Sequence, residues 1–186
     1  MERTLLIQTV ERTFGILEVL GLALLVVMAF AFQFVLKELP CPLCLLQRVG
    51  FLATAFGFLL NLRFGLRPSH YALALISALF TAFVALRQTA LHILPGSGSY
   101  GSAIFGLHMY TWSFIVSMVI VIFVSITLGI DRQYQPFDMT KAPTKHLVRW
   151  TFAIIMVLLV ANIVSTFMEC GIGQCPDNPV QYLHGF

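Results

Sequence analysis

Five apolar runs, each close to or beyond the length that carries a helix across a bilayer, constrain this chain more than any other feature. They fall at about 14–36, 43–62, 71–91, 111–130 and 150–168. Inside lipid no water can satisfy backbone N–H and C=O groups, so each run must be a helix bonded within itself. The connections are too short for an additional domain. The expected architecture is an all-α integral membrane protein, a single membrane domain over 1–186 ending in an extracytoplasmic tail at 169–186. Only 10% of residues are charged against 59% hydrophobic, which leaves too little polar surface for an ordinary soluble fold.

The charges orient the spans. Arg3, Arg12, Arg63, Arg67, Arg132, Lys141, Lys145 and Arg149 lie in the N-terminal lead, the second connection or the fourth. Lys37, Arg48 and Arg87 are the cations of the opposite side, and the tail has neither Lys nor Arg. The positive-inside rule therefore expects a cytoplasmic N-terminus and an outer C-terminus, which five spans permit. Ala29-Phe30-Ala31 resembles a signal cleavage site, but the run stays apolar beyond it and the lead carries acids, so a retained helix is expected. A net charge of +3 spread in this way carries no message of nucleic-acid binding. All four cysteines, Cys41, Cys44, Cys170 and Cys175, then sit at or beyond the outer face, where thiols oxidise.

Chemistry concentrates in Pro40-Cys41-Pro42-Leu43-Cys44-Leu45-Leu46-Gln47-Arg48, between the first two runs. Pro40 and Pro42 disfavour helix before them and Pro42 suits a first helical position, so a helix should begin here. Cys41 and Cys44 would then meet the positive end of the helix dipole, which stabilises a thiolate. Arg48 follows Cys44 by one turn on the same face, a permanent cation in or near lipid. A structural staple has little need of this setting. Four cysteines suggest zinc as another reading, but Cys-x4-Cys is not a common knuckle spacing. A c-type haem site requires His after the second Cys, where Leu45 stands. A redox relay is the leading reading, because thiolates pass oxidising power between cysteine pairs by disulfide exchange.

Electrons gathered at Cys41 and Cys44 need a two-electron sink, and a membrane quinone is at hand. Arg48 can favour its reduced, anionic form, while His92 or Gln88, four apart on one face of the third span, can hydrogen-bond a ring oxygen. Glu18 lies within the first span and Gln33 near its outer end, the latter expected as an interfacial hydrogen-bonder. A Gly/Ser-rich loop from Pro95 leads into an aromatic strip, Phe105 to Trp112, expected to rest in the interface, line the quinone entrance or dock a partner. His108 in that strip is expected to be structural. Asp131 to Arg149 reads as a polar cytoplasmic connection. Two glycines between Cys170 and Cys175 favour a tight turn.

Pro40-Cys41-x-Leu43-Cys44-x-x-x-Arg48, after one span and opening the next, resembles the signature of the DsbB family. The resemblance implies a four-helix membrane bundle, here with a fifth transmembrane helix. It implies a bacterial inner-membrane enzyme that reoxidises a periplasmic DsbA-like thiol oxidase and passes the electrons to ubiquinone or menaquinone. Cys41 and Cys44 match the quinone-proximal pair, Arg48 the quinone-site arginine, and His92 a histidine near the quinone. Cys44 would be the thiolate in contact with the quinone. Family members hold their second cysteine pair between the third and fourth spans, but the segment from His92 to Thr111 has no cysteine. Cys170 and Cys175 are the remaining pair, placed by the fifth span on the same side. A vitamin-K-epoxide-reductase-like enzyme and a membrane protein that binds metal through its four cysteines are the alternatives.

Overall fold

The computed structural model describes residues 2–93 (side chains from Arg12 onward), 101–129, 134, 144–176, 179 and 181–183. Most of the Gly/Ser stretch after Pro95 and most of the connection after Asp131 lie outside them. The order is α1 (Glu2–Val35), α2 (Pro42–Phe64), α3 (Pro68–Leu91), β1 (Ala103–Ile104), β2 (Leu107–His108), α4 (Met109–Leu128) and α5 (Lys145–Cys170). Among the described residues five helices are long and apolar enough to cross a membrane. This is an all-α, multi-pass membrane protein. The two short strands pair antiparallel in one small hairpin before α4.

The helices outrun the apolar runs. The N-terminal lead continues into the first span as one helix, α1, whose membrane-length portion starts at Arg12. No proline interrupts it, and backbone hydrogen bonding does not require apolar side chains. For the same reason α3 starts at Pro68 rather than near 71, and α5 spans Lys145–Cys170 rather than 150–168. The last extension matters because it makes Cys170 the closing residue of a helix.

α2 is the hub. It packs against α1, α3 and α5, while α4 packs on α3 and α5 also touches α1. Val19, Leu59 and Ile155, all nearly inaccessible, bring α1, α2 and α5 to one core. Close approach of α2 and α3 depends on two glycines seven residues apart. A Cβ added to Gly57 would lie 2.8 Å from the Ala74 backbone nitrogen, and one added to Gly50 would overlap the Thr81 hydroxyl. Such small-residue contacts let membrane helices pack where lipid supplies no hydrophobic drive. Each step of seven along α2 is answered by seven backwards along α3, so one further step from Thr81 brings Gln88 level with the cysteine motif.

α4 buries Tyr110, Ser117 and Val124, a seam of seven-residue spacing, and turns its other faces outward as a lipid-facing helix should. At the end remote from the cysteines, Arg12 donates to the Leu62 carbonyl at 3.0 Å and to the Thr144 hydroxyl at 3.0 Å. A cation on the last carbonyls of α2 suits the negative end of its dipole. Thr54, Thr81 and Thr151 donate to the carbonyls four residues back, which satisfies their hydroxyls without a partner helix.

Candidate active site

α2 begins at the cysteine motif as its prolines dictate. Pro42 occupies the first turn and Cys41 is the N-cap, with extended backbone (φ −72°, ψ 163°). Its sulfur accepts from the Cys44 backbone N–H at 3.3 Å, doing what a Ser or Asp oxygen does at other N-termini. The Cys41 and Cys44 sulfurs are 2.7 Å apart, within easy reach of a disulfide. The hydrogen bond to Cys44, reinforced by burial, pushes the Cys41 thiol pKa up, so Cys41 keeps its proton. Cys41 is 6% exposed, whereas Cys44 is half-buried and faces a cavity.

Five segments wall that cavity, among them Val26, Ala29 and Phe32 of α1, Glu38 and Pro40 of the connection, Cys44, Gln47, Arg48 and Phe51 of α2, Gly101 ahead of the hairpin, and Tyr110, Trp112 and Val116 of α4. Apolar and aromatic walls with a few convergent polar groups are the makeup of a small-molecule site. Arg48 is held by α1: Nη1 donates to Gln33 Oε1 at 2.6 Å and Nη2 to the Ala29 carbonyl at 3.0 Å. The Phe30 ring lies beneath it, 4.9 Å from the guanidinium carbon. A guanidinium has five N–H donors, so donors remain beyond these two bonds. A flat, apolar ring with oxygens at its edges fits this lining, one sulfur and one cation included.

Gln88, fully buried on α3, is brought against the sulfurs rather than into the cavity. Its Nε2 donates to Cys41 Sγ at 3.2 Å and Cys44 Sγ at 3.3 Å, and its Oε1 accepts from Gln47 Nε2 at 2.7 Å. His92 caps α3 one turn on and lies against Tyr110, ring centroids 5.6 Å apart; its buried Nδ1 has no hydrogen-bond partner among the described residues. Neither Gln88 nor His92 is among the residues that line this cavity. The α2–α3 register turns Gln88 inward, and Tyr110 stands between His92 and the cavity wall it forms. Tyr110 also stacks on His108, which meets the Gly101 carbonyl through Nδ1 at 3.1 Å, a structural role as expected.

The hairpin of β1 and β2 is fastened over this end. Glu38 accepts from the backbone N–H of Ser102 at 3.2 Å and from its hydroxyl, while Trp112 Nε1 donates to the Ile104 carbonyl at 3.0 Å. Phe105 at the hairpin tip is 92% exposed with φ +51°, free to meet lipid headgroups. Trp112 and Tyr110 line the cavity.

Cys170 and Cys175 form a disulfide at the end of α5. Cys170 is 3% exposed and Cys175 half-buried. Among the described residues no group of three or more His, Cys, Asp or Glu is placed to hold a metal ion. Three polar residues gained weight only in three dimensions: Gln47, Gln33 and Glu169. Gln33 is 2% exposed, not interfacial as expected. The sequence signal for it was an amide inside an apolar span, which membrane helices use as glue.

With this geometry in place, the comparison with known families is specific. Residues 11–99 match the family model described as Disulfide bond formation protein DsbB. Over the first three helices the chain is similar to the DsbB family. The match ends beyond α3, just under half of the chain, and contains Cys41, Cys44, Arg48, Gln88 and His92 but neither tail cysteine. No curated protein and no solved structure matches the chain. The family match, the spanning helices and the cysteine pairs together point to membrane disulfide oxidoreductase chemistry.

Proposed function

We propose that this DsbB-like protein oxidises an extracytoplasmic dithiol protein of the DsbA kind and delivers the electrons to a membrane quinone, ubiquinone or menaquinone. The observation that carries it is one cavity lined by both Cys44 and Arg48 at the start of α2. The positive-inside distribution supports a location for this end of the bundle on the periplasmic side of a bacterial inner membrane, with the N-terminus in the cytoplasm. Residues 1–186 then act as one membrane domain.

The relay follows from accessibility. Cys175 is the more open sulfur of the tail pair, so a partner thiolate attacks there, forming a mixed disulfide and releasing Cys170 as a thiolate. Cys170 attacks Cys41, the Cys41–Cys44 bond breaks, and Cys44 leaves as a thiolate facing the cavity. Because Cys41 is buried, this exchange requires its sulfur to become accessible to Cys170. The partner's second thiol resolves its mixed disulfide and leaves oxidised. Cys175 then attacks the Cys170–Cys41 bond, restoring the tail disulfide and leaving Cys41 and Cys44 reduced. Re-forming the Cys41–Cys44 disulfide releases two electrons and two protons, which a quinone held beside Cys44 and Arg48 would take up. Arg48 holds negative charge against the apolar wall, and Gln88 steadies both sulfurs through its N–H donors.

Steady-state quinone reduction tests this reading. Wild-type protein, a short-chain ubiquinone and a reduced DsbA-like protein should turn over, and both Cys44→Ala and Cys170→Ala/Cys175→Ala should not. Turnover that persists without the tail pair would make Cys41–Cys44 the direct acceptor from the partner. Absence of turnover in the wild type with any dithiol protein would overturn the proposal.

A further inference from the structure

The side chain that fixes the cavity's arginine is itself fixed by a part of the chain outside the family match. Gln33 is buried between α1, α2, α5 and the tail. A guanidinium only donates, so the Gln33 amide must turn Oε1 toward Arg48. Its Nε2 is then committed to the other side and needs acceptors there. Ser165 of α5 supplies one at 2.7 Å and the Tyr182 hydroxyl of the tail supplies another at 3.0 Å. These partners are 132 and 149 residues away in sequence. All three hydrogen bonds of the amide are thus made, and the orientation of its oxygen depends on them.

We propose that Gln33 is a positioning residue for Arg48, and that α5 and the tail, through Ser165 and Tyr182, set how tightly the cavity binds quinone. The inference rests on the quinone reading above. It gives the fifth helix and tail a second role beside that of carrying Cys170 and Cys175: they complete the arginine's mounting. Loss of the Tyr182 hydroxyl frees the amide to rotate, and Arg48 loses its shortest acceptor. The tail pair's own chemistry is not required for this effect.

The test is equilibrium binding of a short-chain ubiquinone to the purified full-length protein, with no dithiol present, read by fluorescence of the cavity's Trp112. Tyr182→Phe and Ser165→Ala should each weaken binding by about three- to ten-fold, and Gln33→Leu by about ten-fold or more. If both hydroxyls act through the amide, adding Tyr182→Phe to Gln33→Leu should produce no further loss. In turnover, Tyr182→Phe should raise the quinone KM while leaving the KM for the dithiol protein unchanged. Because Tyr182→Phe removes one oxygen from a half-buried tail residue, it keeps the test independent of any folding defect in Gln33→Leu. Wild-type binding in Tyr182→Phe and Ser165→Ala, or additive losses in the double variant, would overturn the positioning role alone. A wild-type protein that binds no quinone would overturn it together with the functional reading.

Discussion

In the proposed mechanism Cys44, Arg48 and Gln88 form the smallest working unit, and each contributes by a different physical means. Cys44 presents sulfur to the cavity, Arg48 presents charge, and Gln88 donates to both sulfurs from the neighbouring helix. Arg48→Met removes the cation and should lower kcat/KM for quinone by about 100-fold, measured by quinone absorbance. Arg48→Lys restores charge but not the forked hold on Gln33 and Ala29, and should recover only part of that loss. Gln88→Leu removes two N–H donors while keeping the volume, and reoxidation of the reduced pair should slow by about five- to ten-fold in stopped-flow thiol quenching. The cysteine motif and Arg48 were legible because their placement is local: two prolines start a helix and one helical turn separates Cys44 from Arg48. Gln88 was recognisable as belonging to this end, but its contact with sulfur instead of ligand depends on the pairing of two helices. Gln33 is expected at the interface from sequence but is buried, because the partners that enclose it come from the far end of the chain.

The α2–α3 contact is the element that brings Gln88 to the cysteines. Gly57 against Ala74 and Gly50 against Thr81 fix both separation and register. Gly57→Ala forces the helices apart and should cost about 1–3 kcal/mol, seen as a lower thermal unfolding midpoint in detergent. Turnover should fall with it, since Gln88 moves with α3. Gly21→Ala is the matched control, because a Cβ there meets nothing within 4 Å and alanine favours helix. Equal effects of the two substitutions would contradict the role given to the glycines. Five helices were legible as five apolar runs, but their ends were not. α1 and α5 continue past the apolar residues because backbone hydrogen bonding, not side-chain hydropathy, terminates a helix.

Across the whole molecule, the two ends are built for different tasks. One end ties α1, α2 and α5 together through Arg12, and the other gathers the cysteines, the cavity and the tail. The proposed orientation predicts that a membrane-impermeant thiol reagent applied to intact cells labels Gln181→Cys in the tail and spares Ser69→Cys in the α2–α3 turn region. The reverse pattern would place the site on the cytoplasmic side, away from an oxidising compartment. The central claim is that the Cys41–Cys44 disulfide is made at the expense of quinone. Its most direct measurement starts from fully reduced protein, with oxygen excluded, and adds a limiting amount of short-chain ubiquinone. Quinol is counted by absorbance, and the Cys41–Cys44 disulfide by mass of the cysteine-containing peptides. One disulfide per quinol in the wild type and none in Cys44→Ala is the expected result. A disulfide that forms without quinol, or quinol that appears with Cys41 and Cys44 still reduced, would contradict it.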